Sequence, residues 1–314
     1  MKQLSIIIPH HNQPDLLEIA LRSIGNDPLT QVIVIDDHSD RYLEELQTLK
    51  QNPHYAHVLF LESPQGQRGP GCARNLGIEH ATGKYIMVVD ADDYLLPDYQ
   101  KILQPYLESD LDLICFTPIS RLIGTNEDAH RVDKYIKLIE DYLNDPCERT
   151  EDAIRFTFYI TPSKLYKRSM IEEHHIRYDV TMVSEDVMFS TRVGAYAKTL
   201  ACSKEVIYCA TRSANSLTMT QNKQTYDTRF KILLIQHAFI KEKIGNKRYK
   251  KLDLPSLIFI VNAFTYHLGL GVAINSALTM RRNHIKILRS NQFKLSRITS
   301  FLRLSKGAKK VSQK

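Results

Sequence analysis

Short apolar runs that stop at polar or acidic residues recur up to residue 117, and this alternation constrains the fold more than any other feature. Five such runs are predicted to be strands: residues 4–9, 31–35, 58–61, 85–89 and 111–117. Helical patterns at residues 15–24, 43–50 and 72–81 lie between them. Strands that alternate with helices predict an α/β fold with a doubly wound, parallel or mixed sheet.

The ends of these strands carry the polar residues that point to a binding site. Ligands of open α/β sheets bind beyond the C-terminal ends of the strands. Such residues follow the first, second and fourth strands: His10-His11-Asn12, Asp36-Asp37 and Asp90-Ala91-Asp92. We therefore expect one ligand to contact all three groups.

The acidic group after the fourth strand is a candidate metal site. Alternate residues at a strand end point to one face, so Asp90 and Asp92 can converge. Converging carboxylates repel each other unless a cation neutralises them, and hard oxygen ligands suit Mg²⁺ or Mn²⁺. Either ion also binds diphosphate oxygens and stabilises a diphosphate leaving group. The alternative is a solvated acidic turn that precedes a helix.

Five sequence segments, which occur in a fixed order along the chain, support a functional interpretation of these polar groups. They are residues 5–12 (SIIIPHHN), 32–39 (VIVIDDHS), 71–77 (GCARNLG), 81–93 (ATGKYIMVVDADD) and 184–189 (SEDVMF). Together they resemble the family 2 glycosyltransferases of the GT-A fold, particularly bacterial enzymes that build surface glycans. The resemblance covers roughly residues 3–220. It implies a UDP-sugar donor, a Mn²⁺ or Mg²⁺ cofactor, and a glycan, glycolipid or glycoprotein acceptor.

The resemblance also implies a role for individual residues. His11 matches the position that packs on the uracil ring, and Asp37, beside Asp36, matches the carboxylate that accepts a hydrogen bond from the base. Arg74 matches a cation near the nucleotide. The remaining implied nucleotide-site positions are Pro9, Asp90, Ala91, Arg212 and Ser216. Asp92 matches the metal ligand.

The acidic pair in the fifth segment matches the catalytic position of the family. Asp186 is implied to be the general base, and Glu185 to hold the acceptor or to raise the pKa of Asp186. Direct displacement at an anomeric carbon needs a base on the acceptor hydroxyl, which a carboxylate supplies. The alternative is an acidic pair at a helix start, with Ser184 as the N-cap.

The C-terminal part differs from the rest in composition and charge. We predict a GT-A catalytic domain over residues 1–220 and a helical domain over residues 221–314. Residues 254–280 have the length of one membrane span, but their polar residues favour a buried helical pair broken near Gly269 or Gly271.

The last 34 residues hold 11 Lys or Arg and no Asp or Glu, whereas the other residues carry a net charge of −4. Apolar residues at near-helical spacing run through this tail, from Ile285 to Leu302. The pattern is typical of an amphipathic helix on an anionic membrane, and equally of a helix packed on the protein with a solvated basic face. Nucleic acid is not expected, because no recognition motif accompanies the charge.

Five cysteines without a C-x-x-C pair predict reduced thiols rather than disulfides or a zinc site. The N-terminus has no signal-peptide pattern, so we expect a cytoplasmic protein, peripheral on the inner face of the membrane. Two other functions remain open. One is a catalytically inactive GT-A-like scaffold subunit that assists a partner transferase, and the other is a metal-dependent nucleotidyltransferase. The intact Asp92 and Asp186 argue against the first, and the Glu185-Asp186 pair fits the second poorly.

Overall fold

The computed structural model describes residues 2–212, 221–252, 254 and 256–287. The chain divides into two compact units, Met1–Thr218 and Met219–Lys314. The first unit contains strands and helices, and the described part of the second contains helices. No helix within the described ranges is long and apolar enough to cross a membrane.

The first unit alternates strands with helices along the chain. Its strands are Leu4–His10 (β1), Thr30–Asp36 (β2), Val58–Glu62 (β3), Tyr85–Val88 (β4), Tyr94–Leu95 (β5), Leu113–Leu122 (β6), Lys164–Lys167 (β7) and Leu200–Arg212 (β8). Its α-helices are Pro14–Ile24 (α1), Leu43–Gln51 (α2), Pro70–His80 (α3), Tyr99–Glu108 (α4), Asp133–Asn144 (α5), Glu148–Thr157 (α6), Arg168–Glu173 (α7) and Glu185–Tyr196 (α8).

These strands form one mixed sheet in the order β3-β2-β1-β4-β7-β6-β8-β5. Strands β3, β2, β1 and β4 run parallel, as do β6 and β8, whereas β7 is antiparallel to both of its neighbours. The five predicted strands are confirmed, although β6 runs five residues further than expected. The sequence pattern missed β5 and β7 because they are short, and β8 because it lies in a region without clear periodicity.

Strand β1 shows how the sheet is buried on both faces. Ile6 and Ile8 belong to one apolar core with Leu17 of α1, whereas Ile7 belongs to a second core with Ala73 of α3. Parallel strands covered by helices on both faces have near-continuous apolar sequences, which explains the run Ser-Ile-Ile-Ile in β1. All five cysteines are free.

The second unit contains three helices, Lys223–Tyr249 (α9), Leu257–Thr265 (α10) and Leu270–Arg282 (α11), within its described residues. The predicted helical pair is present as α10 and α11, and it breaks at Gly269, whose φ is +85°. The prediction that the pair is buried was wrong for one side of α11, where Leu270, Ile274 and Leu278 are exposed because only the opposite side packs on the other helices. Helix α9 is interrupted at Gly245, where φ is +75° and ψ is 161°. The amphipathic tail helix predicted up to Leu302 lies outside the described residues from residue 288 on.

Helices α6 and α8 approach each other closely, which yields a test of the packing. A Cβ atom on Gly194 would lie 2.0 Å from the backbone carbonyl oxygen of Arg155. We expect Gly194→Ala to lower the free energy of unfolding by about 1–3 kcal/mol, because overpacking of a backbone contact forces the helices apart. Urea unfolding followed by circular dichroism measures it.

Gly271→Ala is the matched control, because no atom lies within 4 Å of the position that its Cβ would take. In a helix, alanine is favoured over glycine, so this variant should be neutral or slightly more stable. Equal losses in the two variants would show that the approach of α6 to α8 is not tight.

Candidate active site

The sheet order brings the three predicted polar groups to one edge. Strand β1 lies between β2 and β4, and its register places His10 opposite Asp36. On the other side Ile7 pairs with Val88, so Asp90 follows two residues after the end of the β1–β4 ladder. The carboxyl ends of these three parallel strands therefore lie side by side, as the sequence predicted.

Asp36 is held by the protein itself. Its carboxylate accepts hydrogen bonds from Nδ1 of His10 at 2.9 Å and from both the hydroxyl, at 2.5 Å, and the backbone N–H, at 3.1 Å, of Ser39. Burial alone would raise the pKa of Asp36, but the hydrogen bonds from His10 and Ser39 lower it to about 2. Nε2 of His10 accepts from the backbone N–H of Gln13. The hydrogen bond between His10 and Asp36 therefore links the ends of β1 and β2, and both side chains are used within the protein.

Asp37, the neighbour of Asp36, has an unused acceptor. Its Oδ2 accepts the backbone N–H of Gly69 at 2.8 Å, whereas its Oδ1 is buried without a hydrogen-bond partner in the described part of the chain. A buried acceptor without a partner is rare in a folded protein, and a ligand N–H is one way to satisfy it. His11 lies beside it, with Nδ1 on the carbonyl oxygen of Asp37 and Nε2 against the amide of Asn12.

The acidic group after β4 is a compact cluster of three carboxylates. One carboxylate oxygen from each of Asp90, Asp92 and Asp93 lies within 4.8 Å of the others. Asp93 is buried and accepts hydrogen bonds from the Tyr208 hydroxyl and from the Thr211 backbone N–H.

Asp92 is the open member of this cluster. Within the described ranges, no side chain donates a hydrogen bond to its carboxylate, and its pKa is raised by burial and by the charge of Asp90. Like charges held this close, with an open carboxylate oxygen available, fit a divalent cation bound through hard oxygen ligands.

Arg74 joins this cluster to the start of α8. Its Nη2 donates to Asp90 and its Nη1 to Glu185, each at 2.7 Å, and its guanidinium lies 5.4 Å from the centre of the Tyr178 ring. Although burial opposes the charge, Asp90 and Glu185 raise the pKa of Arg74 well above its usual value. Arg74 is therefore a permanent positive charge between two carboxylates, next to the predicted nucleotide site.

Asp186 follows Glu185 at the start of α8. Ser184 is at the N-cap with φ +59°, but its side chain makes no capping hydrogen bond, so a serine cap does not account for the acidic pair. Burial, with the adjacent charge of Glu185, raises the pKa of Asp186 to about 7. In the described part of the chain no other side chain donates to its carboxylate. Asp186 is thus able to take up a proton near neutral pH.

The three acidic pairs share one arrangement. In each pair, among the described residues, a side chain donates a hydrogen bond to one carboxylate, which we call engaged, and no side chain donates to its neighbour, which we call open. The engaged residues are Asp36, Asp93 and Glu185, and the open ones are Asp37, Asp92 and Asp186. Each of these pairs adjoins a strand end or a helix start of the first unit.

Arg131 is a site residue that the sequence did not reveal. It lies between β6 and α5, its Nη1 donates to the carbonyl oxygen of Thr211 at 2.6 Å, and the charges of Asp93, Asp90 and Asp92 raise its pKa against the effect of burial. No motif surrounds it, so only the fold places it beside the cluster.

Four further positions were predicted for the nucleotide site, and the structure describes three of them. Pro9 lies in β1 opposite Ile35, and Ala91 is buried. Arg212 is exposed at the end of β8. Ser216 lies outside the described residues.

Comparison with known proteins agrees with this arrangement. The model of glycosyl transferase family 2 matches residues 5–174, more than half of the chain. The chain belongs to this family. A poly(ribitol-phosphate) beta-glucosyltransferase of Bacillus spizizenii is 30% identical over 212 residues, which are 66% of this chain and 32% of that protein. The chain thus spans about a third of that relative's length.

Two solved structures show the same fold at low identity. TarS 1–349 of S. aureus in complex with UDP-GlcNAc has a TM-score of 0.65 and 18% identity, over 88% of this chain and 79% of that one. The mannosyltransferase PcManGT of Pyrobaculum calidifontis, in complex with GDP-Man and Mn²⁺, has a TM-score of 0.58 and 15% identity, over 99% and 88%. The family 2 chain described here therefore has the GT-A fold.

The Arg74 ion pairs lead to a stability prediction. Replacement by methionine leaves Asp90 and Glu185 largely buried without their cation, so we expect Arg74→Met to cost about 3–5 kcal/mol of unfolding free energy in urea. Arg22→Met is the matched control, because Arg22 forms an exposed ion pair with Glu18 on α1. It should change stability little. Similar losses in both variants would mean that the Arg74 pairs contribute no more than a surface pair.

Proposed function

We propose that this family 2 protein is an inverting, metal-dependent glycosyltransferase that moves a hexose from a UDP-sugar to a hydroxyl of a glycan acceptor. One observation carries the proposal: Asp37, Asp92 and Asp186 are three open carboxylates, each beside a carboxylate that the protein has engaged. The transfer needs one carboxylate to bind the uracil ring, one to bind the metal and one to accept the proton. These three residues supply one each.

The donor nucleotide is proposed to bind at the ends of β1 and β2. The unpaired Oδ1 of Asp37 suits the N–H of a uracil ring. The exposed imidazole of His11, held at both nitrogens, offers a flat face for stacking on that ring. Pro9 and Ala91 line the same edge, and Arg212 with Ser216 is proposed to reach the diphosphate.

The metal is proposed to bind through Asp92, with Asp90 beside it. Bound Mn²⁺ or Mg²⁺ would supply positive charge to the diphosphate as it leaves. Asp90 already accepts a hydrogen bond from Arg74, so its carboxylate is fixed in orientation and leaves Asp92 as the main protein ligand. Arg131, on the same cluster, adds a second cation that holds the carboxylates together.

Asp186 is proposed to be the general base. It takes the proton of the acceptor hydroxyl while that oxygen forms a bond to the anomeric carbon, and the bond from this carbon to the diphosphate oxygen breaks. Attack from the face opposite UDP inverts the anomeric configuration. Glu185 stays paired with Arg74, and burial together with the charge of Glu185 keeps the pKa of Asp186 near the pH at which a base must work.

The transferred sugar and the acceptor are proposed from the relatives. The poly(ribitol-phosphate) relative is named a beta-glucosyltransferase, so we propose that glucose leads over galactose and the N-acetylhexosamines. A poly(ribitol-phosphate) relative favours a bacterial wall polymer over a capsule or glycoprotein glycan as the acceptor. We propose that transfer takes place at the cytoplasmic face of the membrane, with the basic tail in contact with its surface.

Binding of UDP with and without Mn²⁺, measured by calorimetry, tests the donor site. We expect Mn²⁺ to strengthen UDP binding at least tenfold, and Asp92→Asn to remove this gain because the metal loses its ligand. Asp141→Asn, a change of the same kind at an exposed residue of α5, should keep it. If Mn²⁺ does not change the affinity for UDP, or if both variants lose the gain in affinity that Mn²⁺ gives, the assignment of Asp92 is contradicted.

Transfer from a UDP-sugar by Asp186→Asn tests the base. We expect a loss of about 10²–10⁴-fold in kcat with UDP binding unchanged. Because the base form of Asp186 grows as pH rises through about 7, kcat/KM of the parent should fall tenfold per pH unit below 7. The residual kcat/KM of Asp186→Asn should not fall in this way below pH 7.

The same experiment separates an enzyme from an inactive scaffold. A parent protein that binds UDP with Mn²⁺ yet transfers none of the sugars of a UDP-sugar panel to any acceptor, water included, would favour the scaffold.

A further inference from the structure

Helix α11 is apolar on two faces, although only one of them packs on the helical unit. Its inner face contributes Ala273 and Met280 to the core of the unit. Its outer side carries Leu270, Ile274 and Leu278, which are 63%, 50% and 47% exposed. These three residues, spaced four apart, form one continuous row that we name the α11 ridge. A surface helix of a soluble protein normally has a polar outer face, so the ridge requires an apolar partner.

A cavity of about 500 Å³ lies at the C-terminal end of the same helix. The break of α9 at Gly245 shapes it, because Lys241 lies before the break and Asn246 and Tyr249 lie after it. Arg282, four residues beyond Leu278, and His284 complete the wall. We name it the basic cavity.

The basic cavity has the chemistry of an anion site. Within the described ranges neither Lys241 nor Arg282 forms an ion pair, although Glu242 also lines the cavity. The last carbonyls of α11 are already capped, since Asn283, His284 and Ile285 donate their backbone N–H groups to Thr279, Arg281 and Met280. The carbonyl groups at the negative end of the helix are therefore partly hydrogen-bonded within the protein. The cations Lys241 and Arg282, with the His284 imidazole and the Asn246 amide, can then donate hydrogen bonds to a phosphate group.

The charge of the whole unit indicates what covers the ridge. Residues 219–314 contain 20 Lys or Arg and 3 Asp or Glu, whereas residues 1–218 contain 22 and 32. A second copy of so basic a unit would be repelled. An anionic lipid surface offers both an apolar layer for the ridge and phosphates for the cations.

We propose that the helical unit docks on an anionic phospholipid surface, with the α11 ridge among the acyl chains and a lipid phosphate in the basic cavity. The ridge and Arg282 follow one i, i+4 row, about 18 Å long at 1.5 Å per residue. One lipid can therefore contact both, its headgroup at the cavity and its chains along the ridge. The proposal assigns docking to α9, α11 and the turn after α11, not to the amphipathic helix predicted further along the tail, and it does not depend on the transfer chemistry.

The absence of tryptophan from the sequence allows a direct test of the ridge. In the full chain, Ile274→Trp introduces a single fluorescent reporter. With phosphatidylglycerol vesicles we expect its emission to shift to the blue and brominated acyl chains to quench it. Ile235→Trp, at a residue of α9 that is 43% exposed, is the matched control and should show neither change. If the emission of the Ile274→Trp variant stays unshifted when it binds vesicles, or if both reporters are quenched equally, the ridge assignment is overturned.

Charge reversal tests the basic cavity. We expect the double variant Lys241→Glu with Arg282→Glu to bind phosphatidylglycerol vesicles at least tenfold more weakly in sedimentation. Lys231→Glu with Arg281→Glu reverses the same number of charges on the same two helices outside the cavity and should lose less than threefold. Equal losses of vesicle affinity in the two double variants would show that the attraction depends only on net charge. That result would overturn the assignment of the phosphate site to the basic cavity.

Ile274→Glu separates the lipid from other occupants of the ridge. The proposal expects it to weaken vesicle binding while the melting temperature and the monomer mass stay unchanged. If it instead lowers the melting temperature or dissociates an oligomer, with vesicle binding intact, the ridge is covered by this chain's own tail or by a second copy. Binding of UDP, measured on the same variants, should be unaffected throughout, so failure of the docking proposal stays distinct from failure of the proposed transferase.

Discussion

The double ion pair of Arg74 is the interaction on which the rest of the site depends. Asp90 follows a strand and Glu185 begins a helix far later in the chain, and both meet the same guanidinium at 2.7 Å. Without that cation, the carboxylates that gather here would repel one another in a partly buried setting, and the start of α8 would move away from the sheet. Arg74 therefore makes a concentrated acidic site compatible with a folded protein.

The pairing of one engaged and one open carboxylate follows from the same constraint. A buried carboxylate is tolerated when the protein supplies its hydrogen bonds, as His10 and Ser39 do for Asp36. The engaged residue then fixes the backbone on which its neighbour is carried. Asp37, Asp92 and Asp186 are thus held in position by adjacent residues, while at least one oxygen of each stays available for the ligand that we propose for it.

The two units carry opposite charges, and this separates their roles. The first unit is acidic, which suits metal binding, but it gives no attraction for a polyanionic acceptor or an anionic membrane. The second unit is strongly basic and has both an exposed apolar row and a cavity lined by Lys241 and Arg282. We infer that transfer and docking are divided between them, so that each surface keeps the charge its ligand requires.

The sequence by itself determined the strands that form the edge of the candidate site and most of the polar residues that meet there. Apolar runs ending in His, Asp or Asp-x-Asp are local signals, and parallel pairing turns them into one edge by a general rule. It could not determine which member of each acidic pair is open, because that depends on donors remote in the chain: His10 for Asp36, Tyr208 for Asp93 and Arg74 for Glu185. Arg131 had no local signal at all, and the α11 ridge became visible only once Ala273 and Met280 were known to face the core. The sequence shows which residues of a helix are apolar and how they are spaced. Only tertiary packing decides which of two apolar faces is covered by the protein and which is left for a partner.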